Sequence, residues 1–198
     1  YNLDVKEIGI DFLVGSAHKF HGPKGVGFLY IKRDVKIPPF VQGGGQERNM
    51  RGGTENIAGI IGMVKALEIA YENLVRHQAH VQGLKSRMIK KLNENMPEIT
   101  FNGNPKDEKN SLYTVLNVSL PESDDNDMLL FNLDLAGISC SAGSACNSGS
   151  NLGSHVLTAI GSNPNRGAAR FSFSKYNTAE EVDYVVEKLA QIYSPVAQ

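Results

Sequence analysis

The stretch that decides the fold runs I-D-F-L-V (10–14), G-S-A-H-K-F-H-G-P-K-G (15–25) and V-G-F-L-Y-I (26–31). Short apolar runs bounded by glycine and proline read as strands, so two strands are predicted at 10–14 and 26–31, joined by a polar turn. Lys19 sits in that turn. A lysine amine in water has a pKa of about 10.4 and is a poor nucleophile at neutral pH. One desolvated at the end of a buried strand is activated for Schiff-base chemistry. Ser16 and His18 are donors beside it, and Gly15 and Ala17 are small enough to let a phosphate approach the backbone. Taken alone, the same residues read as a strand ending in a polar turn. The turn lacks G-x-x-x-x-G-K-[ST], so an ATP-type phosphate loop is not supported.

Further along, residues 38–53 hold Gly43-Gly44-Gly45 and Gly52-Gly53 around Gln46, Glu47, Arg48 and Arg51, which predicts a flexible, backbone-exposing loop. Ile57, Ile60, Ile61, Val64, Leu67, Tyr71 and Leu74 share one face of a helix, with Thr54 suited to its N-cap and Glu55 to its first turn. The pattern resumes at Val81, Leu84, Met88 and Leu92 and stops before Pro97. About forty residues is long for one globular helix, so two helices or a bend near 76–80 are expected. The domain boundary is placed there, giving domains 1–77 and 78–198. The second domain reads as α+β. Its strands are expected at 99–101, 115–120, 138–141 and 168–173. Its helices are expected at 127–135, closed by Gly137, at 154–160, and from Thr178, where Thr178 and Glu181 form a capping box.

The 198 residues are 41% hydrophobic and 21% charged, an ordinary soluble composition. A formal net charge of −1 offers no field for nucleic acid or an anionic membrane. No apolar run approaches the roughly 18 residues that span a bilayer. Two cysteines do not make a disulfide scaffold and suggest a reducing, cytoplasmic compartment, with a Cys140–Cys146 pairing as the alternative. Cys140 closes an apolar strand and reads as structural. Cys146 lies in S-A-G-S-A-C-N-S-G-S (141–150), among residues too small to bury it. An accessible, movable thiol suits a group carrier, and an incidental surface cysteine is the plain alternative. Arg170, within A-A-R-F-S-F, needs a carboxylate if buried: that of a substrate, or equally of a structural Asp or Glu.

Four motifs follow one another in order: S-A-H-K-F-H-G-P-K-G, G-G-G-Q-E-R-N-M-R-G-G-T, S-A-G-S-A-C and A-R-F-S-F. Together the chain resembles the cysteine desulfurases of iron–sulfur cluster assembly, in the class V aminotransferase superfamily of fold-type I pyridoxal 5'-phosphate enzymes. The resemblance implies an α/β fold: the C-terminal remnant of a mostly parallel large-domain sheet, followed by an α+β small domain. It implies that Lys19 carries the cofactor and that Ser16 and His18 bind its phosphate. Thr54 would reach the phosphate of the neighbouring subunit's cofactor, hence a homodimer. Arg170 would hold the carboxylate of L-cysteine. Cys146 would take the sulfur as a persulfide and pass it to scaffold or carrier proteins. No metal site is implied. The family's pyridine-facing aspartate, ring-stacking histidine and glutamine near the ring hydroxyl precede the lysine strand; Asp4 and Asp11 do not match them. Gln46 stands where some relatives have histidine, and His155 reads as a helix start. The chain therefore reads as the C-terminal half of an enzyme, catalytically incomplete by itself, with an exposed sheet edge that favours association. The alternatives are a folded interaction domain without turnover, a selenocysteine lyase, or another class V aminotransferase, which would need no mobile thiol.

Overall fold

A computed structural model describes residues 1–142 and 154–193. The chain divides into two compact units, Tyr1–Val75 and Arg76–Gln198. In the first, Asp4 caps the single-turn helix α1 (Val5–Ile8) by accepting the Lys6 and Glu7 amides at 2.8 and 3.1 Å. Strands β1 (Phe12–Ser16) and β2 (Gly27–Ile31) follow and pair antiparallel, with Phe12 opposite Ile31 and Ser16 opposite Gly27. This is the pair of strands around a polar turn expected from the sequence. About ten residues connect the strands, fewer than a parallel crossover requires. Each strand of this two-stranded sheet leaves its outer edge unpaired.

The glycine-rich loop is not the slack segment its composition suggests. Gln46 Oε1 accepts the Gly53 amide at 3.2 Å, and the Gly52 amide donates to the Val41 carbonyl at 2.9 Å. Gly52 passes so close to Gly43 that a Cβ on it would lie 2.8 Å from the Gly43 Cα. Between these ties Glu47, Arg48 and Asn49 all adopt left-handed backbone, at φ 48°, 57° and 66°. Each such residue costs on the order of 1 kcal/mol. Helix α2 (Ile57–Glu72) then starts at Asn56, whose Oδ1 accepts the Gly59 amide at 3.0 Å; Thr54 lies outside the helix and does not cap it. The break before α3 (Leu74–Asn95) falls at Asn73, ahead of the 76–80 stretch expected to bend. Asn73 Nδ2 donates to the Ile69 carbonyl there.

Helix α2 packs on the turn after β1, with Gly62 set against Pro23. Its apolar stripe is exposed instead of buried: Ile57 is 65% and Ile61 64% accessible, and Val64, Leu67 and Tyr71 are exposed along the same face. Among the described residues Ala17 is the one buried apolar side chain of this unit.

The second unit has the core. Helix α3 contributes Leu84, Met88, Ile89 and Leu92, at the spacing of one helix face. Leu129 and Leu133 of α4 (Leu129–Leu135) join them, with Val182, Val186 and Leu189 of α6 (Ala179–Tyr193). A three-stranded antiparallel sheet, β3 (Thr100–Phe101), β4 (Val115–Ser119) and β5 (Ala168–Ser172), lies in that order with β4 central. Leu116, Val118, Ala169 and Phe171 point into the cluster, so the alternate residues Asn117 and Arg170 point out. Residues 138–141 form only one backbone bridge, Ser141 to Arg170, in place of the strand expected. The short helix α5 (His155–Ala159) is capped by Ser154. Thr178 and Glu181 form the reciprocal capping box of α6, at 3.0 and 3.3 Å.

Polar ties fix the helices. Asp183 on α6 accepts from Arg87 Nε and Nη2 at 2.7 and 2.6 Å and pairs with Lys91 Nζ at 2.7 Å. Arg87 first, then Lys91, holds its carboxyl far below the usual range. The buried Lys85 amine donates to Ser111 Oγ and the Leu112 carbonyl at 2.9 and 2.7 Å, and burial pushes its pKa down against the opposing pull of Glu108.

Leu92 is fully buried in the cluster. We expect Leu92→Ala to cost about 2–5 kcal/mol in urea unfolding with an unchanged denaturant slope. A loss under 1 kcal/mol would show that α3 is not seated in this core.

Candidate functional site

Lys19 lies in the 3-10 turn Ala17–Phe20, which follows β1 directly. The turn closes where the Gly22 amide donates to the Ala17 carbonyl at 2.8 Å. A Cβ at Gly22 would stand 2.9 Å from the Ala17 Cβ, so the closure needs glycine. Ser16 is half-buried, and His18 and Lys19 are exposed. The desolvated lysine expected from the sequence is therefore not found: β1 has no residue that is fully buried, and no apolar layer forms in this unit to cover the turn. The Ser16 hydroxyl, the His18 ring and the Lys19 amine make no hydrogen bond or ion pair among the described residues. Residues 15–25 contain no Asp or Glu that could neutralise them. Thr54 is exposed in the same unit, also without a hydrogen-bond partner among the described residues.

Arg170 belongs to the second unit. Its amide donates to the Ser141 carbonyl at 2.6 Å, and its carbonyl accepts the Ser141 amide at 3.1 Å. Its side chain is half-buried on the outer face of the sheet. No carboxylate pairs with it among the described residues. Ser141 is also where the S-A-G-S-A-C stretch begins. Cys146 lies outside the described residues. Cys140 is a free, half-buried thiol packed against the core, and burial pushes its pKa up to about 11. Asp4 is used as a helix cap and Asp11 pairs with Lys32 at 3.3 Å, so neither stands free as a catalytic group, and His155 is the first residue of α5, as expected.

The profile of the class-V aminotransferases matches residues 1–185. The chain belongs to the class V aminotransferase family. It is 46% identical over 193 residues to cysteine desulfurase IscS of Clostridium botulinum (strain Hall), covering 96% of this chain and 48% of that protein. It is 42% identical to IscS of Methanosarcina thermophila, over 96% of this chain and 46% of that one. Among solved structures a NifS-like protein superposes with a TM-score of 0.80 at 38% identity, over 97% of this chain and 48% of the other. The apo cysteine desulfurase of Thermococcus onnurineus NA1 gives 0.76 at 28% identity, over 95% and 48%. The chain thus spans about half the length of the curated relatives it matches. Its fold is the α/β fold of these enzymes, and the cofactor of the family is pyridoxal phosphate. No helix among the described residues is long and apolar enough to cross a membrane, and no His, Cys, Asp and Glu group among them could hold a metal.

The 15–25 turn fits that cofactor. A primary amine, a hydroxyl and an imidazole stand together, unpaired, on a tight turn free of acidic side chains, which suits an aldehyde bearing a phosphate.

The raised pKa of Cys140 makes a prediction. The folded state holds the thiol proton more tightly than the unfolded chain, so the associated stability is present below the ordinary thiol pKa and lost as pH rises through about 11. In a Cys146→Ser background, alkylation of Cys140 by iodoacetamide at pH 8 should be on the order of a hundredfold slower than in the urea-unfolded chain. Equal rates would mean that this thiol is not buried as described.

Proposed function

We propose that this chain provides the lysine, carboxylate-binding and sulfur-accepting parts of a cysteine desulfurase. In a whole enzyme of this family those parts would convert L-cysteine to L-alanine and carry the sulfur as a persulfide on Cys146. The observation that supports this best is the bridge between Arg170 and Ser141, which sets a guanidinium without a carboxylate partner among the described residues beside a residue five positions before Cys146. A guanidinium binds a carboxylate through two parallel hydrogen bonds.

Ser16 and His18 would hold the cofactor phosphate and Lys19 its aldehyde carbon, with Thr54 donating to the phosphate of a neighbouring subunit. Bound pyridoxal phosphate supplies the electron sink that makes the substrate Cα–H acidic. Freed of the cofactor, the Lys19 amine takes that proton as general base. The Cys146 thiolate attacks the substrate sulfur: an S–S bond forms and the substrate Cβ–S bond breaks. The carbon skeleton regains protons to leave as L-alanine, so substrate and thiol together balance product and persulfide without an external oxidant. Scaffold and carrier proteins of iron–sulfur cluster assembly, in a reducing cytoplasm, would be the acceptors. The exposed α2 stripe and the unpaired edges of β1 and β2 support a homodimer.

One observation favours a second reading, a folded interaction domain without turnover. Apart from Ala17, the buried apolar side chains described all lie in the second unit. Cofactor retention separates the two. If the chain acts as proposed, it purifies with visible cofactor absorbance that Lys19→Ala abolishes, whereas Cys146→Ser keeps the absorbance and reduces sulfur release from L-cysteine to background. Absorbance unchanged in Lys19→Ala, or sulfur release unchanged in Cys146→Ser, would contradict the assignment.

A further inference from the structure

A polar row crosses the outer face of the β3–β4–β5 sheet. Asn102, next after β3, lies opposite Asn117 and donates its amide to the Asn117 carbonyl at 3.0 Å. Asn117 is the direct cross-strand partner of Arg170. The backbone polar groups of Arg170 are both turned to Ser141. Asn117 and Arg170 therefore form a non-hydrogen-bonded pair, the class in which Cα atoms lie about 4.5 Å apart and side chains stand closest.

The side chains in this row run in one direction. Ser162 Oγ donates to Asn102 Oδ1 at 2.7 Å, and Asn102 Nδ2 donates to Asn117 Oδ1 at 2.8 Å. Asn117 Oδ1 faces Asn102, and among the described residues its Nδ2 donors have no partner. Both neighbours on this face thus offer donors without a partner among the described residues: the amide NH₂ of Asn117 and the guanidinium of Arg170. Such a pair suits a carboxylate and disfavours a neutral amide, which would leave donors facing donors.

We propose that Asn117 is a second carboxylate-binding residue for the amino-acid substrate, held in its donor orientation by the positioning residues Asn102 and Ser162. The inference rests on the reading of Arg170 as the substrate-carboxylate site. An amide hydrogen bond to a charged group is worth on the order of 1.5–3 kcal/mol, at least about tenfold in affinity. Sequence reading passed over Asn117. The available signal was its place in V-L-N-V-S, an amide at an outward position of a strand otherwise rich in apolar residues.

The test measures binding of L-alanine, and of L-alaninamide as its carboxylate-free counterpart, to the cofactor-loaded protein by calorimetry. Asn117→Ala should weaken L-alanine at least about tenfold and leave L-alaninamide unchanged. The isosteric Asn117→Asp should weaken L-alanine at least as much, because its carboxylate occupies Arg170. Asn102→Asp removes the donor that pins the Asn117 oxygen and should weaken L-alanine without removing any group beside Arg170. If Arg170→Ala weakens L-alanine selectively while the Asn117 and Asn102 variants do not, the proposal for Asn117 is overturned and that for Arg170 stands. If Arg170→Ala shows no preference between the two ligands, both fall. Equal weakening of both ligands by Asn117→Ala and Asn117→Asp would also overturn the proposal, since that marks a structural defect.

Discussion

Burial of one apolar cluster, between α3, α4, α6 and the inner face of a three-stranded sheet, constrains everything else in the second unit. Because side chains alternate along a strand, sinking Leu116, Val118, Ala169 and Phe171 into that cluster turns Asn117 and Arg170 to the opposite face. A slip of one residue would bury a guanidinium among leucines, so the register is strongly specified. The bridge to Ser141 then ties residue 141 to the outer edge of β5. The placement of Arg170 thus follows from the packing of hydrocarbon.

The first unit obeys a different constraint. It carries the lysine turn and the tied glycine-rich loop, yet among its described residues only Ala17 is a buried apolar side chain. Its order comes from backbone closure: the hairpin register, the Gly22–Ala17 hydrogen bond, and the Gln46 and Val41 contacts that enclose three left-handed residues. Strain of that kind persists only where surrounding contacts over-determine it. The apolar stripe of α2 and the free sheet edges need covering that this unit's own residues do not give, which is the physical basis for the association proposed above.

Much of this was legible in the sequence, and what was not has identifiable causes. The apolar patterns located β4 and β5 to within a residue, and Thr178 with Glu181 marked the start of α6 correctly, while α3 begins at Leu74, ahead of the break expected at 76–80. The motifs gave the family. Two readings failed for the same reason: burial depends on what packs above a residue, and local sequence does not record it. The α2 face looked like core, and the Lys19 turn looked desolvated. Thr54 lost the N-cap to Asn56 because both residue types suit that position and the tied loop decides between them. The donor row ending at Arg170 depends on which strands neighbour one another, and no local pattern shows that.

The most direct measurement is the location of transferred sulfur. After incubation with pyridoxal phosphate and L-cysteine, peptide mass spectrometry should find one added sulfur atom on Cys146 and none on the half-buried Cys140. Sulfur on Cys140, or on neither cysteine while L-alanine still forms, would contradict the account.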